Sequence, residues 1–262
     1  MQLITFHKYQ GTGNDFIIID NRNSGLILSE NSVRFLCDRK FGIGADGLIM
    51  LEMRDIPYML YYNSDGRISS MCGNGGRCFT AFASSLHLIA TGEQFDFHAA
   101  DGLHSATLAS NGNVRLSMSD VKKPAQYKNA FIVDTGSPHY VEITSEEDLN
   151  SMNINERGAA IRNSEDFRSE GINVNFISFS EDGIRIRTYE RGVEAETLSC
   201  GTGAVAGAIV DNLHNKRNIS KVIAPGGELF VSFSETNSKY TDVLLEGPAN
   251  FVFSGTINMN TN

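Results

Sequence analysis

The chain repeats itself, and that repeat limits the folds open to it more than any other feature. The first half carries Thr12-Gly13-Asn14-Asp15, then two apolar runs, Leu48 to Met53 and Tyr58 to Tyr62. The turn Asn63-Ser64-Asp65-Gly66 follows, and nine residues after Asn63 comes Cys72-Gly73-Asn74-Gly75. The second half carries Thr135-Gly136-Ser137-Pro138, the apolar run Val174 to Phe179, and the turn Ser180-Glu181-Asp182-Gly183. Alternating Ile184, Ile186 and Thr188 come next, and ten residues after Glu190 stands Cys200-Gly201-Thr202-Gly203. From Gly13 to Cys72 is 59 residues and from Gly136 to Cys200 is 64. One unit used twice in 262 residues predicts two similar domains of ordinary size.

Each Cys-Gly-x-Gly segment opens a helix. Phe79, Phe82, Ala83 and Leu86 recur at three- and four-residue spacing after the first, as do Val205, Ile209 and Leu213 after the second. The second helix is small and apolar on all sides, with Ala204, Ala206 and Ala208, so it is expected to lie buried against a sheet. Strand-like alternation follows in each half, at Val114 to Met118 and Leu229 to Phe233. The polar stretch Ser119 to Pro124 reads as the link. The expected class is α+β: two pseudo-symmetric domains, each a curved, mainly antiparallel sheet around a central helix. Residues 1–118, with a C-terminal strand at about 250–262, form the domain carrying Cys72. Residues 119–249 form the domain carrying Cys200. Pseudo-twofold packing would bring both cysteine-led helix starts to one cleft, the expected active site.

A helix N-terminus has unpaired N–H groups and about half a positive charge, so it suits a carboxylate. The same field makes a thiolate more accessible at the first turn. Two such ends could clamp one α-carboxylate and set a sulfur on each face of its α-carbon. Taking a proton from one face and returning one to the other inverts the centre. A single Cys-Gly-x-Gly would read as a turn beside a core cysteine; its recurrence in both halves argues against that. Gly201-Thr202-Gly203 followed by Gly207 has the look of a dinucleotide loop, but no buried parallel strand is expected before it. About 20 residues on, Ser220 or Lys221 replaces the acid that motif needs. A phosphate loop lacks its Gly-Lys-Ser/Thr ending. A thiol hydrolase with His139 as base would need only one of the two cysteines.

Net charge is −9, from 31 acidic against 22 basic residues, which offers no footprint for phosphate backbones or anionic lipid. Met1 to Gln10 lacks the pattern of a secretory signal, and no apolar run approaches the roughly 20 residues of a membrane span. A soluble, cytoplasmic protein with no nucleic-acid or membrane partner is expected. Four cysteines without a Cys-x-x-Cys pair make neither a disulfide framework nor a zinc site. Cys37 and Cys78 read as small buried hydrophobes.

Seven motifs, in order and spanning nearly the whole chain, resemble the diaminopimelate epimerase family. They are GTGNDF (Gly11 to Phe16), YNSDG (Tyr62 to Gly66), MCGNGGR (Met71 to Arg77), GSPH (Gly136 to His139), INVNF (Ile172 to Phe176), ERG (Glu190 to Gly192) and SCGTGA (Ser199 to Ala204). Paired Cys-Gly-x-Gly alone would also fit proline racemase and its relatives; GTGNDF and Asn74 point to the epimerases. The resemblance implies interconversion of LL- and meso-2,6-diaminopimelate without pyridoxal phosphate, metal or other cofactor, on the route to lysine and peptidoglycan. It implies Cys72 and Cys200 as acid and base, with His139 and Glu190 beside the thiols, helping to move protons. The backbone of Gly73, Asn74, Gly201 and Thr202 would hold the reacting carboxylate. Asn14, Asn63, Asn173, Glu190 and Arg191 would read the rest of the substrate, and family members are commonly homodimers. Two departures stand out. Ser137 takes the place where the family often has Asn, making one substrate contact shorter or water-mediated. The stretch from Glu190 to Cys200 is one residue longer than the family's commonest spacing, with Glu194-Ala195-Glu196 in the extra turn. Two other readings stay open: a racemase of another amino acid, such as proline or hydroxyproline, and a redox-switched amino-acid-binding module.

Overall fold

In the computed structural model, which describes residues 2–259, the repeat is visible strand by strand. β1 (Gln2–Gly11) and β2 (Asn14–Asp20) form an antiparallel hairpin through Thr12-Gly13. Both turn residues have positive φ, 50° and 85°, the backbone of a tight two-residue hairpin turn. After α1 (Glu30–Cys37), β3 (Gly47–Met53) runs parallel to β2 and β4 (Pro57–Asn63) returns antiparallel. Helix α2 (Gly73–Ser85) then leads to β5 (Gln94–Ala99), parallel to β4, followed by the antiparallel strands β6 (Gly102–Leu108) and β7 (Val114–Ser117).

The second pass begins with the short strands β8 (Val121–Lys122) and β9 (Ala125–Tyr127). β10 (Ala130–Asp134) and β11 (Pro138–Ile143) form the hairpin, followed by α3 (Glu146–Ser151) and α4 (Ile154–Arg162). β12 (Asn173–Phe179) is parallel to β11, and β13 (Gly183–Glu190) and β14 (Ala195–Thr197) follow antiparallel. Helix α5 (Gly201–Asn215) leads to β15 (Ile219–Ala224), parallel to β13, then to antiparallel β16 (Gly227–Glu235) and β17 (Lys239–Gly247). β18 (Asn250–Met259) closes the chain antiparallel to β1. Of the C-terminal stretch expected over 250–262, residues 260–262 lie outside the described residues.

The chain divides into two units, one up to Leu116 and resuming at Pro248, the other Ser117–Gly247. Each is a mixed, mainly antiparallel sheet with two parallel pairs at equivalent places, β2/β3 and β4/β5 against β11/β12 and β13/β15. α5 packs on one face of its sheet, against Val141, Ile177, Ile184, Ile186, Val222 and Leu229. Alternate residues of the same strands, Tyr140, Val174, Phe176 and Tyr189, pack with Leu149 of α3 and Ile154 of α4 on the other face. In the first unit α2 buries Phe79, Phe82 and Ala83, while Val33 and Leu36 of α1 meet Ile17, Ile19, Leu48 and Met50. The helices covering the outer faces are an addition to the expected plan. Sheets covered on both sides explain why Phe16 to Ile19 and Val174 to Ile177 are buried without alternation.

The stretch Ser119 to Pro124 is not a free connector. Val121 is fully buried in the core around α5 and pairs with Tyr240 of β17, so apolar burial draws the stretch into the second unit. The strands directly after each helix are β5 and β15, ahead of the two expected there. Val114–Ser117 and Gly227–Glu235 are strands, but β16 matches β6 in the repeat, and β7 matches β17. Among the described residues no helix is long and apolar enough to cross a membrane.

Candidate active site

Among the described residues, two of the five helices start differently from the rest. Ser29, Ser145 and Asn153 cap α1, α3 and α4, each accepting a backbone N–H three residues on, and each first turn carries an acid. α2 and α5 have Cys72 and Cys200 at the cap position in extended backbone, with no side-chain cap bond and no acid in the first turn. The first helical bonds are Gly76 N–H to Cys72 O at 2.7 Å and Ala204 N–H to Cys200 O at 2.9 Å. The amides of Gly73, Asn74, Gly201 and Thr202 therefore precede any helical acceptor and keep the positive end of each helix. Cys72 and Cys200 are half-buried, and Cys200 Sγ lies 3.4 Å from Thr202 Oγ1. Cys37 and Cys78 are buried, and burial pushes both thiols up to about 12.

Strand register assembles the surroundings of α5. His139 on β11 pairs with Asn173 on β12, and Val174 faces Tyr189, which sets Asn173 level with Glu190 at the end of β13. By strand alternation these residues share the face that carries Val141, Ile177 and Ile186 against α5. His139 is therefore a strand residue at 0% exposure. Its Nδ1 is 3.0 Å from Asn175 Nδ2, which also donates to Tyr140 O at 3.1 Å, while Asn175 Oδ1 accepts from Thr188 Oγ1 at 2.9 Å. These bonds orient the Asn175 amide as donor to Nδ1, so the neutral imidazole carries its proton on Nε2. That Nε2 is buried with no hydrogen-bond partner. Burial, with the nearby Arg191 charge adding to it, lowers the His139 pKa to about 3.

Asn173 donates to Ser137 Oγ at 2.8 Å and accepts from Arg191 N–H at 2.9 Å. Arg191 Nη2 also reaches Ser137 Oγ, at 3.4 Å, and Nη1 donates to Glu170 O at 3.1 Å. Ser137 is thus occupied within the chain, holding Asn173 and Arg191 together. Glu190 Oε2 accepts from Thr197 Oγ1 at 3.1 Å. Of the residues expected in the extra turn before Cys200, only Glu194 is in a turn, with positive φ and its N–H returned to Glu190 O at 2.8 Å; pairing with β13 draws Ala195 and Glu196 into β14. Glu196 then pairs with Arg187 through two bonds of 2.7 and 2.8 Å. Thr135 Oγ1 donates to Thr202 O at 3.3 Å, tying the β10–β11 turn to the start of α5.

In the first unit the β1–β2 turn meets the first turn of α2. Thr12 Oγ1 is 3.5 Å from Asn74 Oδ1, and Arg77 Nη2 donates to both, at 3.2 and 3.0 Å. Asn74 is buried. Asn14 opens β2, and its Oδ1 is buried without a hydrogen-bond partner. Asp15 beside it is held by Lys8 at 2.8 Å and Arg39 at 2.6 Å, which fixes the strand start. Asn63 ends β4 level with Gly47, exposed at the turn where Gly66 takes φ of 88°. Asn175, Thr188, Thr12 and Arg77 join these surroundings unforeseen, although three of the motifs contain three of them. Among the described residues no three His, Cys, Asp or Glu side chains gather as a metal would require.

A helix-start cysteine in each copy of the repeat, among these particular asparagines, invites comparison with known proteins. The family model for diaminopimelate epimerase matches residues 6–124 and 131–252. The chain belongs to the diaminopimelate epimerase family. A diaminopimelate epimerase of Flavobacterium psychrophilum is 47% identical over 258 residues, covering 96% of this chain and 99% of that relative. A phenazine biosynthesis protein of the PhzF family from Bacillus anthracis has the same fold at 13% identity, with a TM-score of 0.79 over 99% of this chain and 100% of its own. A probable proline racemase from Agrobacterium radiobacter follows at 15% identity, TM-score 0.68, over 99% and 93%. The two-domain α+β plan is thus that of the epimerase family and its wider fold group. The chain is an enzyme of the isomerase class with a small-molecule substrate.

Proposed function

We propose that the chain interconverts LL- and meso-2,6-diaminopimelate by proton transfer between two cysteines, without a cofactor, supplying precursors of lysine and peptidoglycan in the cytoplasm. The observation that carries this reading is the pair of uncapped, acid-free helix starts, one per repeat, each led by a half-buried cysteine. The amides of Gly73, Asn74, Gly201 and Thr202 bind the α-carboxylate and stabilise the charge that develops on it. One sulfur, as thiolate, takes the α-proton; the other, as thiol, gives its proton to the opposite face. The α-carbon inverts, the proton count is unchanged, and the thiols have exchanged roles.

Other side chains read the remainder of the substrate. Asn14 Oδ1, buried and unsatisfied, is an acceptor for an ammonium group, as is the Glu190 carboxylate. Arg191, braced by Ser137 and Glu170, pairs with the distal carboxylate, and Asn63 and Asn173 complete the polar set. His139 acts as a neutral N–H donor through Nε2 rather than as a proton carrier, because burial opposes its protonation. The working form is a homodimer, supported by the exposed Leu3 of β1 and the exposed Phe251, Val252 and Phe253 of β18.

Incubation with LL-diaminopimelate in deuterated water tests the reaction. Early meso product is expected to carry solvent deuterium at the inverted carbon while recovered LL substrate stays largely unlabelled. Cys72→Ala and Cys200→Ala are each expected to lose more than a thousandfold in turnover with the fold intact, and Cys37→Ala to keep most of it. Substantial transfer of the substrate's own hydrogen into product would exclude two bases. Turnover of proline at the same rate would move the assignment to another amino acid, and binding without exchange would leave a redox or binding module.

A further inference from the structure

Arg77, five residues after Cys72, is fully buried. Its guanidinium donates to neutral oxygens: Gly73 O at 3.3 Å, Asn74 Oδ1 at 3.0 Å, Thr12 Oγ1 at 3.2 Å and Pro248 O at 3.4 Å. Two thiols flank it on α2: Cys78, fully buried and held protonated by that burial, and half-buried Cys72, whose next residue supplies the Gly73 O acceptor, so Cys72 is the one of the two that can carry the charge. A buried cation without a carboxylate is expensive unless an anion accompanies it. The chain around it is also held in an unfavourable shape. Thr12, a β-branched residue, has φ of 50° with 2% exposure, and its hydroxyl lies on the guanidinium. Gly11 packs there because a Cβ would come within 3.2 Å of Arg77 Nη2. In the second repeat the residue five after Cys200 is Val205, in an apolar core.

We infer that Arg77 is a positioning residue that locks the first turn of α2 and supplies the buried positive charge whose counter-ion is the Cys72 thiolate. This rests on the two-cysteine reading and deepens it by giving the two thiols different resting states. The proton leaving Cys72 Sγ passes to solvent in the free protein. The other titratable groups around this turn are few. Cys78 lies on the same helix, protonated through burial. Tyr9 comes from β1, with its ionisation opposed by burial. Asp15 comes from β2, engaged with Lys8 and Arg39. Asp101, at the turn between β5 and β6, accepts from Met71 N–H at 3.0 Å and is bonded to His104 of β6. β18 (Asn250–Met259) carries no charged residue, and Glu52 of β3 pairs with Arg54 at 2.9 Å.

The test is the pH dependence of alkylation of the full chain by iodoacetamide, read as mass added to the Cys72 and Cys200 peptides. In Arg77→Gln the Cys72 midpoint is expected to rise by about one pH unit, with about a tenfold slower reaction below it, while Cys200 keeps the parent's midpoint. Arg77→Lys, which keeps the charge but not the fork, is expected to stay near the parent midpoint. A folded Arg77→Gln with the parent's Cys72 midpoint overturns the inference. So does a folded Arg77→Lys displaced by a full unit, which decides the matter should the glutamine variant fail to fold. The reading needs no substrate, so inactivity on diaminopimelate would count against the proposed reaction and leave this measurement standing.

Discussion

His139 and Asn14 each bury a polar atom that the protein leaves unsatisfied, and the two have different consequences. The folded His139 pKa of about 3 lies below the ordinary 6.5, so between those values an unfolded chain binds a proton that the folded chain does not. Stability from this residue is complete above 6.5 and is lost as pH falls toward 3, with a slope of up to about 1.4 kcal/mol per pH unit. His139→Phe, which installs the residue type that Phe16 supplies in the first repeat, should flatten that dependence. Urea midpoints at pH 4 to 7 for both proteins would measure it, and equal slopes would contradict the burial argument. Asn14→Leu removes an acceptor that nothing in the chain satisfies, so the folded state should lose little or gain. Its melting temperature is expected to match or exceed the parent's while KM for diaminopimelate rises at least tenfold. A variant with unchanged KM would remove Asn14 from the substrate's surroundings.

The uncapped helices make a similar trade on the scale of an element. Cys72 and Cys200 occupy backbone in which Ser accepts the N–H of the second or third helical residue. Cys72→Ser and Cys200→Ser should therefore each stabilise by about 0.5–1 kcal/mol in denaturant melts while turnover collapses. Loss of stability in both would mean that the caps are already satisfied. Helix starts of this kind were legible in the sequence because Cys-Gly-x-Gly is a local signal repeated at matching distances. The apolar runs Leu48 to Met53 and Val174 to Phe179, which lie in the strands Gly47–Met53 and Asn173–Phe179, are marked in the same way. What stayed hidden depends on partners distant in sequence. Arg77 closes a quoted motif, but its partners Thr12 and Pro248 lie 65 and 171 residues away. Asn175, two residues from Asn173 in one motif, gains its role only when β11 brings His139 alongside. β15 alternates clearly, yet it follows a helix and a charged stretch, and its exposed Ile219 blurs the pattern.

Across the whole molecule one scaffold carries two chemical linings. The row Phe16, Gly47 and Asn63 of the first unit corresponds to His139, Asn173 and Glu190 of the second, and Arg77 corresponds to Val205. The units also differ in how the chain builds them. The second is continuous, Ser117–Gly247, and has its own core around α5. The first is closed by a strand from the far end of the chain, with β18 paired along β1 from Gln2 opposite Met259 to Gln10 opposite Asn250. Ile4, Phe6 and Met259 share one core cluster there. Residues 117–247 expressed alone should fold cooperatively, because no core strand among those around α5 is missing. Residues 1–116 alone should not, since β1 loses its long ladder and the apolar face of Ile4 and Phe6 is left uncovered. Adding a synthetic peptide of residues 248–262 should restore part of the ordered signal. Amide dispersion and thermal cooperativity of the three samples decide the matter. A fully cooperative 1–116 fragment would show that β18 decorates the first unit rather than completes it.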